Sequence, residues 1–515
     1  MRGFLQRFQA MLNSRRFFWA TVTFFVVEAA WIGLSAAYPQ AFDESFHFGI
    51  IKVYSHYWLP FLNSQPPHAD AYGAVFRDPS YLYHYVMSFP YRLIAHFVHS
   101  QTTQIIILRF INIAFVAVGL VIFRRVLLHA RVSKSFANLS IALFILIPIV
   151  PQLAGQINYD NLLFPLVAWT CLLTMEVVDE FKKHEPSIYT LLTLATLCTF
   201  ATMVKYEFLP IYLSIVLFLA FTLYRNFHGD WWHIWTPLRK SWAKKSGFVQ
   251  VVLVVLLLVS VGLFVRRDGV NLVKYHSFTP DCAKVMSVQA CNAYGPWNYS
   301  HHQHQWVESQ RAAGQKVHFE GPIVYTIWWA YWLWYRSFFA VDGPGHDYRN
   351  YPPLPLPAAA AGIIGIASVL VVLVALLRKQ LFGRNPYLSL FCMIIVIYLA
   401  ALWVEGYLQY HKTDVKVLMN GRYLLPVLLP FAAIVSQATG PMLRNLSKFK
   451  ISLAAIVLLC FVEGGGALTF IMRSNPNWDW PNSAAVHVNN GARDVLRPVI
   501  FEGDKTYGTH VWFFN

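Results

Sequence analysis

"FFWATVTFFVVEAAWIGLSAAYPQAFDESFH", Phe17 to His47, joins an apolar run to an acidic doublet. The run from Phe17 to Ala37 is long enough to cross a bilayer, which takes about 20 apolar residues. Arg2, Arg7, Arg15 and Arg16 precede it and no small-residue cleavage site follows it. It therefore reads as a retained first span with a cytoplasmic N-terminus. Asp43 and Glu44 come next, with His47 one helical turn further on. Charge beside a bilayer is expensive to keep without a role. The stretch thus points both to a membrane fold and to a place where chemistry should be sought.

Composition carries the membrane reading along the whole chain. The 515 residues are 57% hydrophobic and 17% aromatic but only 13% charged, about half the share of a soluble domain. The formal charge of +16 is not a nucleic-acid signal, because its cations sit in short links between apolar runs. Arg124, Arg125, Arg131 and Lys134 form one such link; Lys182 and Lys183 form the next. Arg225, Arg239, Lys240, Lys244 and Lys245 follow, then Arg378, Lys379 and Arg384, then Arg444, Lys448 and Lys450. Such links mark the cytoplasmic side.

Eleven spans put every basic link inside: 17–37, 103–123, 135–152, 160–178, 188–204, 207–224, 248–265, 356–377, 386–404, 423–440 and 451–471. The expected fold is an all-α polytopic membrane protein, with residues 1–472 as the transmembrane domain and 473–515 as a short exterior tail. Long exterior segments run over 38–102 and 266–355, and amphipathic helices are expected in the first. "GPIVYTIWWAYWLWYRSFFA", Gly321 to Ala340, has the Trp and Tyr density of an interfacial helix; a passage into the membrane is the alternative. Cys282 and Cys291 lie in the second exterior segment, where they either pair in an oxidising compartment or remain free thiols. The compact cytoplasmic links favour a bacterial inner membrane.

A helix over Ala41 to Trp58 would put Asp43, His47, Ile50 and Tyr54 on one face. Asp43 and Glu44 would also suit a helix start by dipole alone. The zinc-protease pattern fails, since H-E-x-x-H needs His first and this chain reads D-E-x-x-H. Partners recur on the same expected side. They are Tyr81 and His84 in "DPSYLYHYVMSFPYR", Asn158, Asp160 and Asn161 in "QINYDNLLFP", Lys205 and Glu207 in "MVKYEFLP", and Arg422 and Tyr423 in "VLMNGRYLLPVLLP". Taken singly, Lys205 and Arg422 could be snorkelling residues. Taken together, two cations and several acids converge on one membrane face from distant segments.

The ordered set resembles the GT-C superfamily of integral-membrane glycosyltransferases: a first span, an acidic pair opening an exterior helix, a Pro-aromatic motif, N-x-D, a Lys after span five and G-R-Y-x-x-P. The nearest types are the protein-mannosyltransferases, the aminoarabinose transferases and their uncharacterised bacterial branch. The resemblance covers roughly the first 210 residues and the Gly421-Arg422-Tyr423 region. It departs at Asp78-Pro79-Ser80-Tyr81, where many relatives carry two prolines, and in the brevity of the tail. It implies a polyprenyl-phosphate sugar donor, an acceptor that is a glycan, lipid or protein, and a first-loop carboxylate as base.

On that reading Asp43 is the base, with Glu44 as the second catalytic residue, orienting the acceptor or holding a metal. His47, Lys52, Tyr81, His84, Asn158, Asp160, Lys205, Arg422 and Tyr423 bind substrate. The one cofactor the pattern admits is a divalent metal on Asp43, Glu44 and His47. Membrane lipids are expected partners and nucleic acid is not. Direct displacement inverts the sugar's anomeric centre, and Arg422 with Lys205 stabilises the departing phosphate. The competing functions are a transporter or flippase for a lipid-linked glycan, for which Glu28 within the first span is the main feature, and a glycan polymerase. "HHQHQW", His301 to Trp306, reads as a solvated loop or an incomplete metal site.

Overall fold

Inside a bilayer every backbone N–H and C=O must be satisfied within the chain, and helices do this segment by segment. The computed structural model describes residues 2–502 except 42, 228–231, 339–353, 380, 382–384, 443–446, 475 and 482. Arg384, Arg444 and the end of the second exterior segment lie outside the described residues. Among those described, all regular structure is helical, apart from one isolated bridge between Ala36 and Asp479. Among the described residues, nine helices are long and apolar enough to cross a membrane: Arg15–Ser35, Gln101–His129, Tyr159–Lys182, Tyr206–Phe227, Gly247–Tyr275, Pro355–Leu377, Pro386–Thr413, Gly421–Gly440 and Phe449–Arg473. The protein is a polytopic helical membrane protein. The other two expected spans are shorter apolar helices, Lys134–Ile145 and Ile188–Val204, of 12 and 17 residues.

The reason for one short span lies in a break. Lys134–Ile145 stops at Leu146 and restarts as Ile149–Ala154 after Pro148, whose ring admits no N–H donor. Leu146 O instead accepts the Gly466 N–H at 2.7 Å. Gly466, at φ +60°, lies in a second break, between Ser447–Val462 and Ala467–Arg473. Glu28 explains itself here. It is 6% exposed within the bundle, and its Oε1 accepts the Ala467 N–H at 3.1 Å, satisfying the start of the last half-helix.

Two clamps place the segment that follows the first span. Its helix runs over Glu44–Tyr54, shorter than expected, and packs on Leu82–Phe97. Arg267, at a π-turn in the Gly247–Tyr275 span, donates to Val75 O (2.9 Å) and Asp78 O (3.2 Å) and covers the Tyr81 ring at 4.3 Å. The tail folds back rather than extending away. Ala37 N–H reaches Trp478 O at 2.8 Å, and Trp31 Nε1 donates to Asn489 at 2.9 Å. Pro322–Phe338 is a helix that buries Tyr325 and Trp329 against the end of Pro386–Thr413 and the loop beyond it. Cys282 and Cys291 form a disulfide, with Cα atoms 5.9 Å apart.

Candidate active site

The acidic doublet divides at the backbone. Asp43 adopts φ 69°, a left-handed conformation that Asp and Asn tolerate better than most residues. Glu44 opens the helix and turns inward; Asp43 stays 43% exposed.

Glu44 is fully buried and accepts from Arg109 through two parallel bonds, Nε to Oε1 at 2.8 Å and Nη2 to Oε2 at 2.7 Å. The N–H groups of Gln40 (2.8 Å) and Ile157 (3.1 Å) also donate to its carboxylate. Arg109, fully buried in the Gln101–His129 span, donates further to Gly33 O at 3.0 Å and Ala36 O at 2.7 Å. One carboxylate thus joins the first span, the Glu44–Tyr54 helix, the second long span and the turn before Asn158. Such a forked pair is among the stronger charge-assisted contacts available.

Asp43 meets a second cluster. Its Oδ2 lies 3.2 Å from Arg422 Nη2, and Arg422 Nε lies 3.7 Å from Asp160 Oδ2. Lys205 Nζ contacts Asp160 Oδ1 at 2.8 Å and Glu207 Oε2 at 2.9 Å. The Lys205 ammonium also sits 4.7 Å from the Tyr159 ring centroid and 4.9 Å from that of Tyr423. Lys205 is 2% exposed, Arg422 8%, Asp160 and Glu207 10% each. Asp43 is therefore the accessible member of a chain of five charges. A cavity of about 20 Å³, room for a single water, abuts Asp160, Asn161 and Arg422, with apolar side chains such as Val116, Phe164 and Leu425 as its remaining wall.

The elements that deliver these groups are the helix ends. Asn158 caps Tyr159–Lys182, its Oδ1 accepting the Asp160 N–H at 2.9 Å, so the N-x-D motif is a cap with the acid in the first turn. Lys205 sits at the kink between Ile188–Val204 and Tyr206–Phe227. Asn420 caps the turn holding Arg422 in the same way, at 3.1 Å.

His47 Nδ1 and His84 Nε2 are 2.9 Å apart and both side chains are buried. The His47 ring meets Tyr159 edge-on at 4.4 Å, which ties the pair to the charged cluster. Burial, followed by His84, Arg422 and Lys205, pushes the His47 pKa well below its usual value. Burial takes His84 down to about 3. Both imidazoles are neutral at pH 7.

Other expected members lie apart. Tyr81 is buried, its hydroxyl at 3.6 Å from Met203 Sδ and its ring under Arg267. Lys52 is exposed over the Phe48 ring at 5.7 Å and has no ion pair among the described residues. The metal set Asp43, Glu44 and His47 fits poorly, because Arg109 and two N–H groups occupy Glu44 and His84 occupies His47 Nδ1. No group of three potential ligands gathers among the described residues. In "HHQHQW" the histidines are engaged separately, His304 Nδ1 with Lys412 O at 3.0 Å and His301 stacked on Trp297 at 4.4 Å.

Arg109, which holds Glu44, is absent from the residues expected at the site. A single arginine inside "IIILRFINIAF" was its signal, since an ionised residue within a span needs a buried partner. Comparison of the chain with protein-family models and with curated proteins finds no match.

Proposed function

We propose that the protein is a membrane glycosyltransferase that moves a sugar from a polyprenyl-phosphate donor to an acceptor hydroxyl. The observation that carries this reading is the contact between Asp43 and Arg422, with Asp160 behind the guanidinium. An exposed carboxylate and a buried, forked cation adjoin at the end of a helical bundle. A lipid-phosphate donor presents an anion to the cation of such a site, and the acceptor presents a hydroxyl to its carboxylate. The GT-C-like order of motifs supports the same assignment.

The chemistry then runs in one displacement. Donor phosphate competes with Asp43 for the Arg422 guanidinium, so donor binding frees the base. Asp43 takes the acceptor O–H proton, and the acceptor oxygen bonds to the anomeric carbon. The bond from that carbon to the phosphate oxygen breaks, its electron pair staying on the phosphate, and the configuration inverts. Arg422 stabilises the charge that develops on the leaving polyprenyl phosphate; Lys205, held by Asp160 and Glu207, orients the acid behind it. Glu44 is a positioning residue, holding Asp43 through its own clamp on Arg109.

The test is transfer by the purified protein in lipid nanodiscs supplied with a panel of labelled polyprenyl-phosphate sugars and candidate acceptors. Transfer by wild type and its loss by roughly 10²-fold or more in a folded Asp43→Asn variant are expected. Movement of labelled lipid between leaflets without sugar transfer would favour the transporter instead. The two broken helices meeting at Leu146 and Gly466 are the feature that reading would use.

A further inference from the structure

At the end of the bundle opposite the charged cluster lies an apolar groove of about 350 Å³. Phe181 lies near the far end of the 24-residue helix that opens beside Asp160, about 30 Å along its axis. Leu191, Leu219 and Leu223 form the other wall, and the Trp232–Ala243 helix closes the groove with Ile234, Trp235 and Leu238. That helix is pinned at its far end. Ser241 Oγ accepts the Ile188 N–H at 3.1 Å, and the Tyr189 hydroxyl donates to Trp242 O at 2.6 Å. The groove is therefore a fixed feature of the packing, of the size that small-ligand pockets have.

Its lining is wholly apolar, and its rim is not. Between Trp232 and Lys245 the chain carries Arg239, Lys240, Lys244 and Lys245 and no acid. All four cations are exposed, as is Trp235 at 59%. Two acids near this end of the facing helix, Glu180 and Asp179, are engaged elsewhere, while Glu176, a turn further in, is exposed. Glu180 accepts from Ser187 N–H (3.0 Å) and the Thr190 hydroxyl (2.7 Å), and Asp179 pairs with His129 at 2.8 Å. A helix with an apolar face, an exposed Trp and a cationic edge suits an anionic lipid surface.

We infer that this groove binds one acyl chain of an anionic phospholipid, with the headgroup held by Arg239 and Lys240. The site is separate from the proposed transfer chemistry and does not depend on it. Filling it fixes the Trp232–Ala243 helix against the ends of three membrane helices.

Native mass spectrometry of the full-length protein in detergent tests this, with phosphatidylglycerol and phosphatidylcholine of the same acyl chains added in turn. Wild type should retain one phosphatidylglycerol at several-fold higher occupancy than phosphatidylcholine. Leu223→Trp should fill the groove and lower retention of both lipids. The double variant Arg239→Gln/Lys240→Gln, on an exposed surface that folding does not need, should bring phosphatidylglycerol down to the phosphatidylcholine level. Equal retention of the two lipids by wild type overturns the inference, as does an unchanged preference in the double variant. If Leu223→Trp does not fold, the double variant decides alone.

Discussion

Replacing Glu44 by Gln separates the two acids of the doublet. Removing one partner from a buried ion pair costs about 3–5 kcal/mol, because the remaining charge is left without water or counter-charge. Glu44→Ala would also strip the acceptor from the Gln40 and Ile157 N–H groups, at about 1–3 kcal/mol each. That total rivals the whole stability of a typical domain, about 5–15 kcal/mol, so the alanine variant should not accumulate. Glu44→Gln keeps the shape and one acceptor oxygen but turns an NH₂ toward Arg109; a loss of about 3 kcal/mol is expected. Arg109→Met should cost a similar amount, and the double variant less than the sum of the two, since neither charge is then left alone. Thermal or denaturant unfolding in detergent gives these values, with sugar transfer measured on the same samples. Wild-type stability of Glu44→Gln, together with transfer as low as that of Asp43→Asn, would refute the latch and place Glu44 in the chemistry.

Arg422→Lys keeps the charge but not the fork, and should lower transfer by about 10²-fold; wild-type rates would remove Arg422 from phosphate binding. His84 and His47 are neutral when folded but protonate near pH 6.5 when unfolded, so their contribution is complete above pH 6.5 and falls with pH below it, by about 1.4 kcal/mol per unit for each. Unfolding measured between pH 7 and 4.5 should therefore show a shallower acid dependence in His84→Gln, and an unchanged slope would count against the buried pair. Gly466→Ala places a Cβ 2.2 Å from Glu28 Oε1 at a residue of φ +60°, which should destabilise the fold by about 1–3 kcal/mol; unaltered melting would show that the half-helix start can shift.

What the sequence disclosed follows from which signals are local. Apolar length and the placement of Lys and Arg are read along the chain, so nine of the eleven expected spans appear as spanning-length helices. The other two are shorter, and the Leu146–Gly466 junction beside one of them forms between residues far apart in sequence. Asp160, Lys205 and Arg422 could be gathered in advance because each sits at a helix end beside an Asn cap or a kink, where polar residues interrupt an apolar run. Arg109 could not be paired in advance, because nothing local relates it to Glu44, 65 residues earlier. Tyr81 failed to join the cluster for a similar reason: alternation of aromatics does not say which ring faces Arg267 and which faces the site.

The doublet therefore has to be understood as two unlike acids rather than one pair. Adjacent carboxylates repel and would both resist burial, yet Glu44 is fully enclosed. The left-handed turn at Asp43 resolves this by sending the two side chains to different partners, Arg109 deep within the bundle and Arg422 at the end of it. Each partner sits on a different span, so the doublet also joins the second long span to the Gly421–Gly440 span across the Glu44–Tyr54 helix. In the proposed mechanism Asp43 is both anchored and free to react, because its neighbour's clamp holds the backbone in place. The salt bridge it does make, at 3.2 Å, is the one in the chain of charges whose acid is open to solvent, and in that mechanism it is the one an incoming phosphate displaces.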